Sequence, residues 1–480
     1  MNKPHFYCTY SSWQSLLYAG GIFVLIYNLT NAYAQIIDNT YGLSHITGAV
    51  DKHIPFIAPM IVPYALSLPL FVMSFFIIDR KSLSNLTYRL ILITLISGLV
   101  FYYFPLKFSL VIDVFYDWGV DWSWAYQILF FIDKPYNQLP SLHVGFAVLI
   151  GVSLYGTLKS WHILYTWPLI IICFLITIST VFTYQHQSID VLAGLICALL
   201  VYCVERYLSS TYTEILKANI IKYISLATVW LIVIKTLPVI ISQLPITGIA
   251  SLIIDFIAYH GFICFLLLAF SYHHHKNYIP DKLLCQLFNK QQGRFTPLSR
   301  FIFIYFYGIY YLLWQIAKYS RFLQTIQKPI KIDHHSDILA IGRLPKSHYD
   351  DNFFHQYQAI IWLDISVELS CEIKHSKLAN KSHYIYLPML DLTAYQDCHL
   401  MQLQQQCQTI QSMKENLSTA QTLIVCQCAM GYSRSVVMMA YLLAYMGRYS
   451  ADNIYTLIDS YYPKNRAKKY IEHKLLTALQ

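Results

Sequence analysis

The feature that most limits the fold is where the apolar residues fall along the chain. Runs of about 17 to 25 apolar residues, the length that crosses a bilayer core, fill the sequence up to about Phe270 and are absent after Lys331. Beyond Lys331 the apolar residues come in short bursts, such as Ala359 to Leu363 and Leu423 to Cys426, separated by Gln, Asn, His and charged residues. This pattern predicts a polytopic α-helical membrane domain followed by a soluble α/β domain. Composition agrees: 480 residues with 56% hydrophobic and 12% charged are too apolar for an ordinary soluble protein.

Candidate spans begin near Trp13, Ile54, Tyr88, Leu142, Ile163, Asp190, Ile221 and Gly248, which predicts six helices up to about Tyr207 and two more beyond. No small-residue cleavage pattern follows the run from Trp13, so it reads as a retained span. Cations follow alternate spans: Arg80, Lys81 and Arg89 after the second, Lys159 after the fourth, Arg206 and Lys217 after the sixth, and Lys276, Lys282 and Lys290 after the eighth. The positive-inside rule places these in the cytoplasm and the segments 105–140 and 183–190 on the opposite side. Topology therefore accounts for the formal charge of +9, and a nucleic-acid partner is not expected. The eleven Cys lack framework spacing and read as free thiols, which suits a cytoplasmic C-terminal domain. Phe301 to Trp314 is apolar for 14 residues, with Arg300 before it and Lys318 and Arg321 after it, and reads as an interfacial helix too short to span. The expected divisions are 1–210 (six-helix membrane domain), 211–275 (two further helices), 276–325 (basic linker and interfacial helix) and 326–480 (soluble domain).

The soluble part carries the sharper chemistry. Thr422 to Gln427 reads as a buried strand and Ser435 to Tyr445 as a buried helix, with Cys428-Ala429-Met430-Gly431-Tyr432-Ser433-Arg434 between them. A strand, a tight loop and a helix N-terminus point several backbone N–H groups at one place, a nest for a phosphate dianion. Gly431 permits the turn, and the same positive field favours a nucleophilic Cys428 thiolate. Arg434 can bind two phosphate oxygens with its fork. Ser435 reads equally as a partner of the thiolate or as a helix-cap hydroxyl. Asp391, on a loop after Leu387-Pro388-Met389-Leu390, could protonate a leaving group.

These residues resemble the signature of the protein tyrosine and dual-specificity phosphatase superfamily over about residues 330 to 480. Asp337 to Arg343 and Ile361 to Glu368 resemble the early strands of its dual-specificity branch. The resemblance implies Cys428 as nucleophile, Arg434 as phosphate ligand, Asp391 as general acid, and Gly431, Ser433 and Ser435 as loop residues around the substrate. Two positions depart from the family pattern: Gln427 stands where a His is usual, and Ala429, Met430, Tyr432 and Ser433 carry no charge. An uncharged loop argues against polyphosphorylated inositol headgroups.

A second constellation falls in the segments predicted to face away from the cytoplasm. Pro140-Ser141-Leu142-His143 opens the fourth span, and His186 and Asp190 open the sixth, four residues apart and so on one helical face. An Asp that orients an imidazole leaves its other nitrogen free to attack phosphorus. Together they look like the type 2 phosphatidic acid phosphatase superfamily over roughly residues 50 to 207. Leu142 and Thr180 are more similar to its inositolphosphoceramide and sphingomyelin synthase branch. The resemblance implies His186 as nucleophile, Asp190 as its partner, His143 as acid, and Ser141 and Lys107 as substrate-binding residues, with Lys107 in Phe104-Pro105-Leu106-Lys107 the nearest candidate for the family's first motif.

His273-His274-His275 and His334-His335 are adjacent and not spaced as converging ligands, so no metal and no other cofactor is expected. The predicted protein is a multi-pass enzyme of bacterial inner-membrane type. One phosphatase or headgroup-transferase site would face outward and one Cys-dependent phosphatase would lie in the cytoplasm, with lipid phosphates or phosphoproteins as partners.

Overall fold

The computed structural model describes residues 11–480 except 46–47, 49, 109–115, 118, 162, 275–281, 321–327, 346–347, 350–351, 392, 394, 396–398, 418–419, 448 and 463–466. His275, Lys276 and Arg321 lie outside the described residues. The chain divides into two compact units, one ending at Leu266 and the other running from Leu267 to Gln480.

The first unit is helical. Its elements are α1 (Ser12–Tyr41), α2 (Ile61–Ala65), α3 (Ser67–Ile77), α4 (Arg80–Tyr103), a hairpin of β1 (Tyr116–Asp117) and β2 (Val120–Asp121), and α5 (Ser123–Ile132). There follow α6 (Leu142–Trp161), α7 (Ile163–Phe182), α8 (Ser188–Thr211), α9 (Glu214–Ser242) and α10 (Gly248–His274), the last crossing into the second unit. Among the described residues, seven helices are long and apolar enough to cross a bilayer: α1, the run Ala58–Ile77 that holds α2 and α3, α4, α6, α8, α9 and α10. The apolar part of α7, Thr166–Phe182, is shorter.

Local chemistry sets the helix starts. Ser11 and Gln14 cap α1 reciprocally, each side chain accepting the other's backbone N–H. Asp79 accepts from the N–H groups of Lys81 and Ser82, so α4 begins at Arg80, eight residues before the span expected from Tyr88. Arg80, Lys81 and Arg89, read from the sequence as cations following a span, are therefore inside α4. Arg89 and Lys217 are buried, not loop cations. Arg89 Nε donates to Glu205 at 2.9 Å and its Nη1 to Ser153 at 2.8 Å, while Lys217 Nζ donates to Asn85 and Glu214, each at 2.7 Å. Buried charges persist only when paired this closely, and the network ties α4, α6, α8 and α9 together.

The second unit contains α11 (Lys282–Leu287), β3 (Lys290–Gln291), β4 (Arg294–Phe295), α12 (Pro297–Ile302), α13 (Ile304–Tyr319), β5 (Ile330–Lys331), β6 (Ser336–Ile341), α14 (Asn352–His355), β7 (Ala359–Ser366), β8 (Ser382–Met389), α15 (Leu400–Asn416), β9 (Thr422–Gln427), α16 (Arg434–Tyr445), α17 (Ala451–Tyr461) and α18 (His473–Leu479). Five strands form one sheet in the order β5-β6-β9-β7-β8, parallel except for β5. All eight residues of β7 and all six of β9 are buried, as expected of central parallel strands. Gln427 at the end of β9 pairs in register with Ile341 and Asp364, so three strand ends meet where the chain turns into the Cys428 loop. Ligands of parallel sheets bind beyond such carboxyl ends.

The described part of 276–325 is built into this unit. Lys290 on β3 is fully buried, its Nζ donating to Asp364 at 2.8 Å and to the carbonyls of Ser366 and Leu369 at 2.6 Å each. Gly293, with φ +87°, offers its carbonyl to the Cys371 N–H at 2.8 Å; a Cβ there would meet the Cys371 carbonyl oxygen at 2.1 Å. The Phe301 to Trp314 segment falls on α12 and α13, and Trp314 packs with Leu369 and Ala429.

Candidate functional sites

In the second unit, Cys428 leaves β9 with its N–H on the Ile341 carbonyl, and its Sγ accepts the Gly431 N–H at 3.2 Å. Gly431 has φ +88°, the conformation that lets its N–H turn inward. Ser435 Oγ lies 3.3 Å from the same sulfur, so the hydroxyl serves the thiol. Ser433 precedes α16 as its cap residue without a side-chain capping bond. Cys428, Arg434 and Ser435 are all buried.

Arg434 uses one corner of its guanidinium for the protein. Nη1 donates to both carboxylate oxygens of Glu368 at 2.9 Å and to the Met389 carbonyl at 2.7 Å. Nη2 lies 3.5 Å from Asp391 Oδ1, and the buried Nε has no hydrogen-bond partner among the described residues. The Nε and Nη2 edge is the one that grips two oxygens of a phosphate. Burial opposes the charge on Arg434, but Glu368, Asp391 and Cys428 outweigh it and raise its pKa. Burial also raises the Glu368 carboxyl while Arg434 pulls it down. Contacts to both oxygens at 2.9 Å, with Ser366 Oγ donating at 2.9 Å, describe an ion pair.

Asp391 is held over this loop by two tyrosines. Tyr272 Oη donates to its carbonyl at 2.9 Å and Tyr310 Oη approaches its carboxylate at 3.4 Å. Gln427 is buried, and its Oε1 accepts from Trp362 Nε1 at 2.7 Å and from Cys371 Sγ at 3.5 Å. Trp362 in turn lies between Tyr349 and Phe354, with centroids at 5.6 and 5.8 Å. The amide thus anchors the strand end to the core.

In the helical unit, α6 and α8 bring the second constellation together. Ser141 donates its N–H to the Asp190 carbonyl at 3.1 Å, and a Cβ on Gly194 would stand 2.6 Å from the Ser141 carbonyl oxygen, so glycine permits this approach. The rings of His143 and His186 are 5.8 Å apart between centroids. His186 Nδ1 lies 3.7 Å from Asp190 Oδ2, too far for a hydrogen bond. That oxygen accepts the Gln187 N–H at 2.9 Å as part of the α8 capping box. The N–H groups of Gln185 and His186 both donate to the Thr180 carbonyl at 3.0 Å, so the segment turns back onto the last turn of α7.

Lys107 pairs with Asp38 at 2.7 Å, and Tyr136 Oη donates to the same carboxylate oxygen at 2.9 Å. Sequence reasoning missed three members of the His143 surroundings. Tyr64 Oη lies 3.4 Å from His143 Nδ1 and 3.5 Å from Asp133 Oδ2, and Tyr27 Oη donates to Asp133 Oδ1 at 2.7 Å. Glu368 was missed likewise. For Glu368, an acid set between Val367 and Leu369 was the available signal, because a buried carboxylate needs a partner.

Two solved structures are similar to the chain, Tk-PTP in a point-mutant form and in its active form, each at 18% identity over 32% of this chain. They are covered to 93% and 92% of their own length, with TM-scores of 0.25 and 0.24. No curated protein matches. Residues 37–204, which hold Ser141, His143, His186 and Asp190, match the model of the PAP2 superfamily, and the helical unit carries a domain of that superfamily.

Proposed function

We propose that the chain is a membrane phosphatase with two phosphoryl-transfer sites. In the C-terminal unit Cys428 Sγ attacks the phosphorus of a phosphate monoester, Arg434 holds two non-bridging oxygens, and Asp391 gives its proton to the departing alkoxide or phenoxide. Water then cleaves the phosphocysteine, returning the thiolate, to which Ser435 donates. The observation that carries this reading is the division of labour on Arg434: Nη1 is taken by Glu368 and Met389 while Nε stays unpaired beside the Cys428 loop.

In the helical unit His186 attacks a lipid phosphate, Asp190 steadies the imidazole, and His143 protonates the leaving oxygen, with Ser141 and Lys107 as substrate ligands. The 5.8 Å spacing of the two imidazoles supports this, since a phosphoryl group fits between an attacking and a protonating ring. Cytoplasmic placement of the C-terminal unit belongs to the same proposal, because a thiolate nucleophile needs a reducing compartment.

A second reading has the helical unit bind a lipid phosphate without turnover. It is favoured by the 3.7 Å gap between His186 and Asp190 and by Thr180 in place of Arg. Cys428→Ser and His186→Ala, assayed separately against phosphotyrosyl peptide and lipid phosphates, divide the two. Loss of all turnover in Cys428→Ser alone would leave the helical unit as a binder; unchanged turnover in both would sink the two-site proposal.

A further inference from the structure

The face of α13 turned away from the Cys428 loop carries no charge. Ile304, Ile309, Leu312, Leu313, Ile316 and Tyr319 are 43% to 80% exposed, and at 100° per residue they share one side of the helix. The exposed cations Arg300 and Lys318 lie near its two ends. The opposite side is occupied: Phe306, Tyr307 and Trp314 are buried, Trp314 packs on Ala429 and Leu369, and Tyr310 reaches Asp391 at 3.4 Å. One helix therefore has the phosphate loop and the proposed acid on one side and a bare apolar stripe on the other.

Two facts choose the occupant of that stripe. Sixteen residues span about 24 Å, short of the roughly 30 Å hydrocarbon core. The buried side also meets Arg343, whose guanidinium lies 4.5 Å from the Trp314 ring and donates to the Ser370 carbonyl at 2.9 Å. A crossing helix would carry that cation into hydrocarbon. A helix lying in the interface keeps the polar side wet, sinks the stripe among acyl chains and sets Arg300, Lys318 and the tyrosines among headgroups. Those cations are complementary to anionic lipid phosphates, and a chain with seven candidate spans among its described residues is never far from a bilayer.

We propose that α13 docks on the bilayer surface, and that the Cys428 site therefore takes the phosphate monoester of a membrane lipid. This rests on the reading of Cys428 as a phosphatase nucleophile. A helix with its side chains is about 10 to 12 Å across, so the loop packed against it lies about one helix diameter from the plane in which lipid phosphates sit. The uncharged loop residues Ala429, Met430, Tyr432 and Ser433 suit a singly phosphorylated headgroup whose charge is met by Arg434 and loop N–H groups.

The test uses the full chain in nanodiscs, with His186→Ala as parent to silence the other site, phosphatidic acid as the membrane substrate and 4-nitrophenyl phosphate as the soluble one. In the double variant Leu312→Gln/Ile316→Gln, Cys428-dependent hydrolysis of phosphatidic acid should fall at least tenfold while hydrolysis of 4-nitrophenyl phosphate stays within twofold. Equal loss on both substrates would mean that the stripe packs against protein, and no loss on either would mean that it docks on nothing; each overturns the proposal. So would a parent that uses Cys428 on a phosphotyrosyl peptide and not on phosphatidic acid. A parent without Cys428-dependent turnover of any substrate would refute the phosphatase reading and the lipid substrate with it. Docking itself is then read from Ile316→Trp, whose added fluorescence should be quenched by lipids brominated on the acyl chain; absence of quenching overturns it.

Discussion

Lys290→Met should destabilise the C-terminal unit more than any surface change in it. The ammonium is fully buried and has three acceptors, Asp364 at 2.8 Å and the Ser366 and Leu369 carbonyls at 2.6 Å. Met fills much of the same volume but leaves the Asp364 carboxylate with Tyr384 Oη as its nearest donor, at 2.8 Å. Breaking a buried pair from one side costs about 3–5 kcal/mol. At about 1.4 kcal/mol per tenfold change, amides that exchange only on opening of the whole unit should exchange roughly a hundred to several thousand times faster. The assay is hydrogen exchange of the β9 peptide in the intact chain. Lys290→Met/Asp364→Leu removes both charges and should recover most of the protection, because replacing a buried pair whole is often close to neutral. An increase of less than about fivefold in the single variant, well under what the broken pair is worth, would refute the reasoning, showing that the 288–295 segment is a tether and not part of the core.

Three further outcomes follow from named contacts. Glu368→Gln removes the charge that orients Arg434 Nη1; by the worth of a charged hydrogen bond, about 1.5–3 kcal/mol, kcat/KM on 4-nitrophenyl phosphate should fall roughly tenfold to a hundredfold, mostly through KM, with β9 exchange little changed. Gln427→Leu strands the buried Trp362 N–H and should cost about 1–3 kcal/mol, read from the same exchange experiment, whereas an apolar swap with no cost would mean that the 2.7 Å bond does not form. Tyr64→Phe removes the hydroxyl between His143 and Asp133 and should slow lipid phosphate turnover about tenfold in a Cys428→Ser background, less than the full worth of a positioned acid–base group; unchanged turnover would show that His143 needs no orienting partner.

What the sequence disclosed was local. The strand Thr422–Gln427 and the helix after the Cys428 loop follow from an apolar run, a Gly and a second apolar run, and β9 and α16 have nearly those bounds. The spacing of four between His186 and Asp190 did not put both on one helix: α8 begins at Ser188, so His186 lies before it and only Asp190 is on it. Pairings across long loops leave no such mark. Glu368 meets Arg434 from 66 residues away, and Lys290, counted as a topological cation, neutralises Asp364 inside the sheet. Arg89 and Lys217 misled for the same reason: a cation beside an apolar run looks alike whether it faces headgroups or a buried Glu205. The apolar segment after Arg300 falls on α12 and α13, but periodicity could not tell which of its faces the Cys428 loop would cover.

The charges at the Cys428 site bear on its chemistry as a set. Among the described residues, Arg434 is the only cation in the group of side chains that touch one another there, against two carboxylates, Glu368 and Asp391. With Gln427 neutral and the Cys428 thiolate of the proposed mechanism counted as well, the site carries no net positive charge without substrate, so no net positive field draws in a polyanion. Directional donors remain: the Gly431 N–H at 3.2 Å and the Ser435 hydroxyl at 3.3 Å on sulfur, and the Arg434 Nε and Nη2 edge for phosphate. A site that relies on short hydrogen bonds selects by shape and by a single phosphoryl group. Long-range capture is then left to whatever holds the substrate near, which a bilayer does by confining it to two dimensions at high effective concentration. On the proposed docking of α13, the neutral loop forgoes electrostatic capture and the apolar stripe supplies proximity instead.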